Sequence, residues 1–122
     1  MDLIVTNNPM AAERFAGRGR VCFYPEESYR DILRRVRDLV YVGHRLRNHP
    51  LYGSLRPHET PYRTVVLSEE AMAPDGEECT ILSDALTLTA GFTLPDVQAM
   101  DRDILRDYQY IDCDLVSAVW RD

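Results

Sequence analysis

The opening of the chain constrains its fold most, because a short apolar run there is followed at once by a polar turn and a helix signal. Leu3 to Val5 predict a buried strand, which ends at Thr6-Asn7-Asn8-Pro9. Asn8 can cap a helix and Pro9 suits the first helical position, so a short helix is expected before Gly17. A strand, a tight turn and a helix in this order begin a βα unit.

The segment from Ser28 to Val42 carries the strongest helix signal in the chain. Ser28 followed by Asp31 resembles a capping box. Apolar residues then recur at three- and four-residue spacing, as on one buried helix face: Tyr29, Ile32, Leu33, Val36, Leu39 and Val40. Gly43 is expected to end this helix.

Shorter patterns predict the remaining elements. Val21 to Tyr24 and Thr64 to Leu67 predict a second and a third strand. The apolar spacing from Leu82 to Ala90 predicts another helix. From Pro95 onward the apolar residues follow a helical period, which indicates a long C-terminal helix or two shorter pieces. Alternation between Tyr108 and Leu115 leaves an added strand open as an alternative.

Together these patterns predict one α/β domain spanning residues 1–122. A chain of 122 residues is long enough for a single core and too short for two independent ones. Strands that alternate with helices favour a parallel sheet joined by right-handed crossovers. We therefore expect a small three-layer domain whose short, mostly parallel central sheet of about three strands, in the order 2-1-3, is flanked by helices.

The charged residues exclude several functions. All 14 basic residues are arginine, so no Schiff-base lysine and no P-loop lysine exist. Residues 1–63 carry 11 arginines against 7 acidic residues, and residues 64–122 carry 3 against 13. The basic half suits an anionic ligand or an acidic partner surface. The net charge of −6 argues against nucleic acid as a partner.

The first residues and the cysteines indicate the cytoplasm. MDLIVTNNP has neither the basic start nor the apolar middle of a signal peptide, and no apolar run approaches the roughly 18 residues of a membrane span. Cys22, Cys79 and Cys113 are odd in number and widely spaced, so they predict reduced, mostly buried thiols without a disulfide framework.

The segment from Gly43 to Tyr62 is unusual, because it holds all three histidines in a connection longer than compact domains normally use. Gly53 and Ser54 could present backbone N–H groups and a hydroxyl to an anion. Arg56 adds a planar guanidinium suited to carboxylate or phosphate. The Gly43 to Tyr62 segment is therefore the predicted functional surface, together with the turn at Asn7 and Asn8.

That turn stands where the first strand should meet its helix, at the carboxyl edge of the sheet where open α/β folds bind ligands. Asn8 is explained by helix capping, whereas Asn7 is not. The predicted ligand-binding residues are Asn7, Asn8, His44, His49, Gly53, Ser54, Arg56, Glu59 and Tyr62. Five of them are expected to converge around one concavity: Asn7, His49, Ser54, Arg56 and Glu59.

Other chemistries find less support in the sequence. The histidine spacings match no ligand frame, so no metal site is predicted. No Gly-rich fingerprint follows the first strand, and no cofactor is predicted. Ser54 with His49 or His58 as base and Glu59 as orienting group would form a triad, but GxSxG is absent. Catalytic residues are therefore left unassigned.

Several short motifs, in an order kept along most of the chain, resemble the GrdX family: Thr6-Asn7-Asn8-Pro9, Arg37-Asp38-Leu39 with Gly43-His44, His49-Pro50-Leu51 with Gly53-Ser54, Pro57 with Glu59-Thr60-Pro61-Tyr62, and Asp107-Tyr108-Gln109-Tyr110-Ile111-Asp112. Members are small proteins encoded beside components of the glycine, sarcosine and betaine reductases of anaerobic amino-acid-fermenting bacteria. The resemblance implies association with such a system and supplies no catalytic role.

Two classes of function follow. The first is a non-catalytic accessory or regulatory protein that binds a small anionic metabolite or a reductase component. The second is a small enzyme acting on a carboxylate- or phosphate-bearing metabolite, with His49, His58 or Glu59 in acid–base work. The first is favoured, because no acid–base pair has a persuasive spacing. Formation of a homo-oligomer is left open.

Overall fold

The computed structural model describes residues 1–51 and 60–121. The described chain alternates strands and helices, as the sequence predicts. Its elements are β1 (Asp2–Thr6), α1 (Pro9–Arg14), β2 (Gly19–Phe23), α2 (Tyr29–Tyr41), β3 (Thr64–Ser68), α3 (Gly76–Thr89) and α4 (Arg102–Ser117), with short 3-10 turns at Val97–Ala99 and Ala118–Trp120.

The sheet has the predicted strand order, β2-β1-β3. β1 pairs with β2 in parallel, with Ile4 opposite Val21. β1 pairs with β3 in the antiparallel sense, with Ile4 opposite Val66. The sheet is therefore mixed, and the prediction of a mostly parallel sheet is wrong.

The physical reason is a hairpin that the sequence does not reveal. After α2 the chain first runs along the outer side of β3, where Leu46 forms an antiparallel bridge with Leu67. The N–H of Arg47 donates to the carbonyl of Val66 at 2.8 Å, and the N–H of Ser68 donates to that of Arg45 at 2.8 Å. The chain thus reaches the carboxyl end of β1 before β3 begins, and β3 must run back. Residues 45–48 include two arginines and no apolar run, so nothing marked them as part of a sheet.

The side chains of β1 alternate between two separate apolar clusters. Leu3 and Val5 pack with residues of α2 and α3, whereas Ile4 packs with residues of α1 and α4. Every residue of β1 is buried, as expected for the central strand. Burying each large apolar side chain contributes about 1.5 to 3 kcal/mol, so this strand and its neighbours stabilise both clusters.

The α2 helix forms as its sequence predicts. The N–H of Asp31 donates to the Ser28 hydroxyl and the N–H of Ser28 donates to the Asp31 carboxylate, both at 3.2 Å, which completes the capping box. Gly43 ends the helix with φ of 112°, a conformation that side-chain-bearing residues rarely adopt. A Cβ there would lie 1.7 Å from the carbonyl oxygen of Met72, so glycine is required on two grounds.

The C-terminal region is helical. A 3-10 turn at Val97–Ala99 precedes the 16-residue helix α4, so a long C-terminal helix is present and the alternative strand between Tyr108 and Leu115 is wrong. The buried residues of α4 are Asp112, Cys113 and Val116, whose spacing is helical and not alternating. The three cysteines of the chain are free thiols. Within residues 1–51 and 60–121, no helix has the length and apolar character that crossing a bilayer requires.

At the amino edge of the sheet, Asp2 joins three distant segments. Its carboxylate accepts hydrogen bonds from Arg47 at 2.5 Å and from the indole N–H of Trp120 at 2.8 Å. Trp120 in turn packs against Phe15, with ring centroids 4.9 Å apart. Burial by itself raises the pKa of the Asp2 carboxyl, but the hydrogen bonds from Arg47 and Trp120 and the charge of Arg47 outweigh it. The pKa of Asp2 therefore lies below its ordinary value of 3.8.

The variant Val36→Asp tests which face of α2 is buried in the core. Val36 is fully buried, so this variant places an unpaired charge in the core and is expected to lower the free energy of unfolding by about 4 kcal/mol or more. The matched control is Arg34→Asp on the exposed side of the same helix, which removes only a surface ion pair and should cost about 1 kcal/mol or less. Equal losses in urea unfolding would show that the helix face is misassigned.

The Asp2 cluster predicts a pH dependence of stability. Because its folded-state pKa is lowered, Asp2 contributes stability that is present above the unfolded value of about 3.9 and is lost as pH falls through the folded value. Asp2→Asn should therefore cost about 1 to 3 kcal/mol at pH 7 and much less at pH values below the folded pKa. Asp38→Asn, at an exposed carboxylate, should show almost no loss at either pH. A loss for Asp2→Asn that does not change with pH would contradict the charge argument.

Candidate functional site

The Asn7 side chain holds together three connections at the carboxyl edge of the sheet. Its amide donates to the carbonyl of Glu27, which precedes α2, and to the carbonyl of Pro61, which precedes β3, both at 2.9 Å. Its oxygen accepts from the N–H of Arg63 at 2.9 Å. The residue that capping left unexplained therefore fixes the ends of two loops to the end of β1.

Asn8 has the predicted capping role and a second one. Its side-chain oxygen accepts from the N–H of Met10 at 2.9 Å, which caps α1. Its amide donates to the Asp112 carboxylate at 2.9 Å and to the carbonyl of Gln109 at 3.1 Å. The first turn of the chain is thus joined directly to α4, a contact across about a hundred residues of sequence.

A buried chain of hydrogen bonds leads from this turn to the same carboxylate. The Thr64 hydroxyl donates to Asp112 at 2.6 Å and lies 2.7 Å from the Thr6 hydroxyl. Because the Thr64 proton is used on Asp112, the Thr6 hydroxyl must donate to Thr64. Thr6 then accepts from the N–H of Asn8 at 3.0 Å. All four residues are buried, so the sheet, the first turn and α4 share one polar network.

A cavity of about 460 Å³ opens beside this network, where β1 and β2 end. Its volume is within the range of small-molecule sites, and its place outside the carboxyl ends of parallel strands is where open α/β folds bind ligands. The wall is formed by the loops after β1 and β2, the start of α2, the residues before β3 and the segment before α4. Its lining residues are Asn7, Pro9, Pro25, Glu26, Glu27, Ser28, Tyr29, Pro61, Tyr62, Leu94, Pro95, Val97 and Gln98.

Four polar side chains of the wall are already engaged. Asn7 binds the loops, and Ser28 caps α2. The Glu27 carboxylate accepts from Arg35 at 2.7 and 2.9 Å, and the Tyr62 hydroxyl accepts from Gln109 at 2.9 Å. These groups shape the cavity and are not available to a ligand without breaking an internal bond.

Three polar groups of the wall are not engaged within the described residues. Tyr29 is fully buried, and its hydroxyl has no hydrogen-bond partner there. The Glu26 carboxylate and the Gln98 side-chain amide make no hydrogen bond or ion pair with residues 1–51 or 60–121 either. Sequence reasoning missed all three. Tyr29 was assigned only to the apolar face of α2, and nothing in the sequence places the residues before α4 beside the start of α2.

The structure describes five of the nine predicted ligand-binding residues and brings three of them together. Asn7 and Tyr62 line the cavity, and Asn8 lies beside it in the buried network. His44 lies at the opposite, amino edge, where its Nδ1 is 2.9 Å from the carbonyl of Ser68. The Nδ1 of His49 accepts from the N–H of Leu51 at 3.0 Å, and His49 lines a separate small cavity against α3.

Four predicted residues, Gly53, Ser54, Arg56 and Glu59, lie outside the described residues, as does His58. The predicted meeting of Asn7 with Ser54, Arg56 and Glu59 therefore stays a prediction. That prediction assumed that β3 runs parallel to β1, whereas β3 is antiparallel to β1. The connection between residues 48 and 64 nevertheless starts and ends near the carboxyl end of β1, because the Asn48 amide donates to the carbonyl of Thr64 at 3.2 Å.

Cys113 lies beside the buried network but is not suited to nucleophilic chemistry. Burial, and then the negative charge of Asp112, raise the pKa of its thiol to about 11, despite opposing effects of Arg14 and a hydrogen bond from Asn8. The thiolate is the reactive form of cysteine, so this thiol stays protonated and inert at neutral pH. Within the described parts of the chain, no three His, Cys, Asp or Glu side chains are grouped to hold a metal ion.

Fold and site define a small α/β protein with a mixed three-stranded sheet and a ligand-sized cavity at the carboxyl edge of its parallel strand pair. The chain belongs to the GrdX-like protein family, whose model matches residues 3–121. No curated protein and no solved structure matches it significantly. The resemblance found from the motifs is thereby confirmed over nearly the whole chain.

The polar network predicts a large effect for Asp112→Ala. This variant leaves the Asn8 amide and the Thr64 hydroxyl without their buried acceptor, so the free energy of unfolding should fall by about 3 to 5 kcal/mol. Asp114→Ala is the control on the same helix, where the carboxylate is exposed and makes one long contact with Arg121. It should cost about 1 kcal/mol or less. Similar losses in denaturant unfolding would show that the network does not stabilise the fold.

Proposed function

We propose that this GrdX-like protein is a non-catalytic accessory or regulatory protein that binds a small carboxylate- or phosphate-bearing metabolite at the carboxyl edge of its sheet. The observation that carries the proposal is the cavity of about 460 Å³ at the carboxyl ends of β1 and β2, because its volume and its place are those of small-molecule sites in open α/β folds.

The hydrogen bonds that the cavity residues already make favour binding over catalysis. Its engaged groups stabilise loops and helix ends, and the one buried thiol nearby is protonated. The two described histidines use their Nδ1 atoms in local contacts and lie outside this cavity. An enzyme acting by acid–base chemistry would need two titratable groups facing one space. Of the two uncommitted titratable groups among the described lining residues, Glu26 is exposed to solvent and the Tyr29 hydroxyl is buried.

The family supplies the biological context of the proposal. Its name implies association with glycine reductase, and the motif resemblance extends this to the sarcosine and betaine reductases. We place the protein in the cytoplasm beside such a system, where a bound metabolite would report on substrate or product supply. A component of the reductase is the other partner that this context favours.

The proposal is tested by thermal shift with acetate, butyrate, phosphate, acetyl phosphate, glycine, sarcosine and betaine. A ligand at about 100 times its dissociation constant stabilises by about 2.7 kcal/mol, which should raise the melting temperature by about 10 °C. Val97→Trp should abolish the shift, because Val97 is half-exposed and lines the cavity. Ile104→Trp, at a similarly exposed position outside the cavity, should keep it. Absence of stabilisation by every probe would refute small-molecule binding.

Arg56 keeps its predicted role as partner of the anionic group. Arg56→Ala should weaken ligand stabilisation and leave the melting temperature of the free protein nearly unchanged, since a guanidinium that binds only ligand adds nothing to the free fold. Arg102→Ala, in the first turn of α4, is the control for loss of an exposed arginine. A lower melting temperature without ligand, together with unchanged ligand shifts, would show that Arg56 is structural.

A further inference from the structure

We propose that this protein forms a symmetric dimer in which the outer edge of β2 pairs antiparallel with β2 of a second copy, so that two three-stranded sheets become one continuous sheet. The dimer goes beyond the proposed function and does not depend on it, because it concerns the edge of the sheet and not the ligand of the cavity.

In the described chain, the outer edge of β2 is open, whereas that of β3 is covered. Residues 45–48 pair with β3 through the bridge between Leu46 and Leu67 and the hydrogen bonds beside it. Among residues 1–51 and 60–121, none makes a backbone hydrogen bond to the outer side of β2. β2 contains no proline, and it pairs with β1 residue by residue without a bulge. Prolines and bulges are means by which proteins protect an exposed edge, so β2 is left suited to pairing with another strand.

The backbone groups of β2 determine the register of such a pairing. The N–H of Tyr24 donates to the carbonyl of Thr6 at 2.8 Å. Because alternate residues of a strand turn their backbone groups to opposite sides, Gly19, Val21 and Phe23 turn theirs away from β1. These positions are symmetric about Val21. A two-fold axis beside Val21 therefore pairs Val21 with its counterpart and Gly19 with Phe23, and each pair exchanges both of its backbone hydrogen bonds.

The side chains in this register favour a second copy over an unrelated strand. Phe23 is 39% exposed, and it lies opposite Gly19 of the second copy, where the missing side chain leaves room for its ring. Arg18 precedes β2 and Glu26 follows it, and both are exposed. Antiparallel pairing brings the basic start of one strand beside the acidic end of the other, whereas a parallel copy would place like charges together. The edge is thus complementary to itself.

Sedimentation velocity over a range of protein concentrations tests the assembly. We expect a monomer–dimer equilibrium that approaches twice the 14.1 kDa mass of the chain. Phe23→Lys should weaken the dimer at least about tenfold, because it removes the exposed ring and adds a cation near Arg18 of the second copy, twice in a symmetric dimer. Leu88→Lys, at an exposed apolar position on α3, is the matched control and should leave the dimer unchanged. A monomer at every concentration, or equal weakening by both variants, would overturn the proposal.

Cross-linking tests the register. The same axis places position 20 of one strand opposite Cys22 of the other, in a pair without hydrogen bonds whose Cα atoms lie about 4.5 Å apart. That distance suits a disulfide, so Arg20→Cys treated with oxidised glutathione should give a covalent dimer through the free thiol of Cys22. Adding Cys22→Ser should abolish the covalent dimer, and Arg34→Cys, on the exposed side of α2, should not form one. A dimer in sedimentation that gives no cross-link through Cys22 would show that the copies meet at another surface, and would overturn the pairing of the β2 edges.

Discussion

The rest of the structure depends on the hydrogen bonds that converge on the buried carboxylate of Asp112. Through Asn8 and Thr64 it fixes the turn after the central strand, the start of β3 and the helix α4 in one arrangement. Apolar packing alone would hold α4 against the sheet without choosing its rotation or register, because such packing is not directional. The Asp112 carboxylate determines the rotation and register of α4, since only one placement of the helix gives the buried donors their acceptor.

Much of the fold could be predicted because its signals are local. The strand at Leu3 to Val5, the Asn8 cap and the capping box at Ser28 each depend on a few neighbouring residues, and each is present. The direction of β3 could not be predicted, since it depends on residues 45–48, which pair with β3 by backbone hydrogen bonds and carry no apolar pattern. A pairing made by backbone hydrogen bonds leaves no signal in the pattern of apolar and polar side chains.

The candidate site, like the fold, could be predicted from the sequence only in part. The turn at Asn7 was located correctly, because a polar turn after a buried strand falls at the carboxyl edge whatever follows it. The long-range partners were missed. Asp112 was treated as part of an ambiguous periodic stretch, and Tyr29 as a core residue, although one is the centre of a polar network and the other lines a cavity. Both assignments depend on how segments far apart in sequence meet, which no local pattern records.

The bonds made by Asn7 have a mechanical consequence. One short side chain holds the carbonyls of Glu27 and Pro61 at hydrogen-bonding distance on either side of it, so two walls of the cavity are kept at a separation set by the size of a single amide. A site braced in this way is already formed before a ligand arrives, and little conformational entropy is lost on binding. Because the Asn7 hydrogen bonds fix the distance between these two walls, selectivity depends on the size and shape of the ligand. Ligands are therefore sorted by fit to an existing space and not by closure of the protein around them.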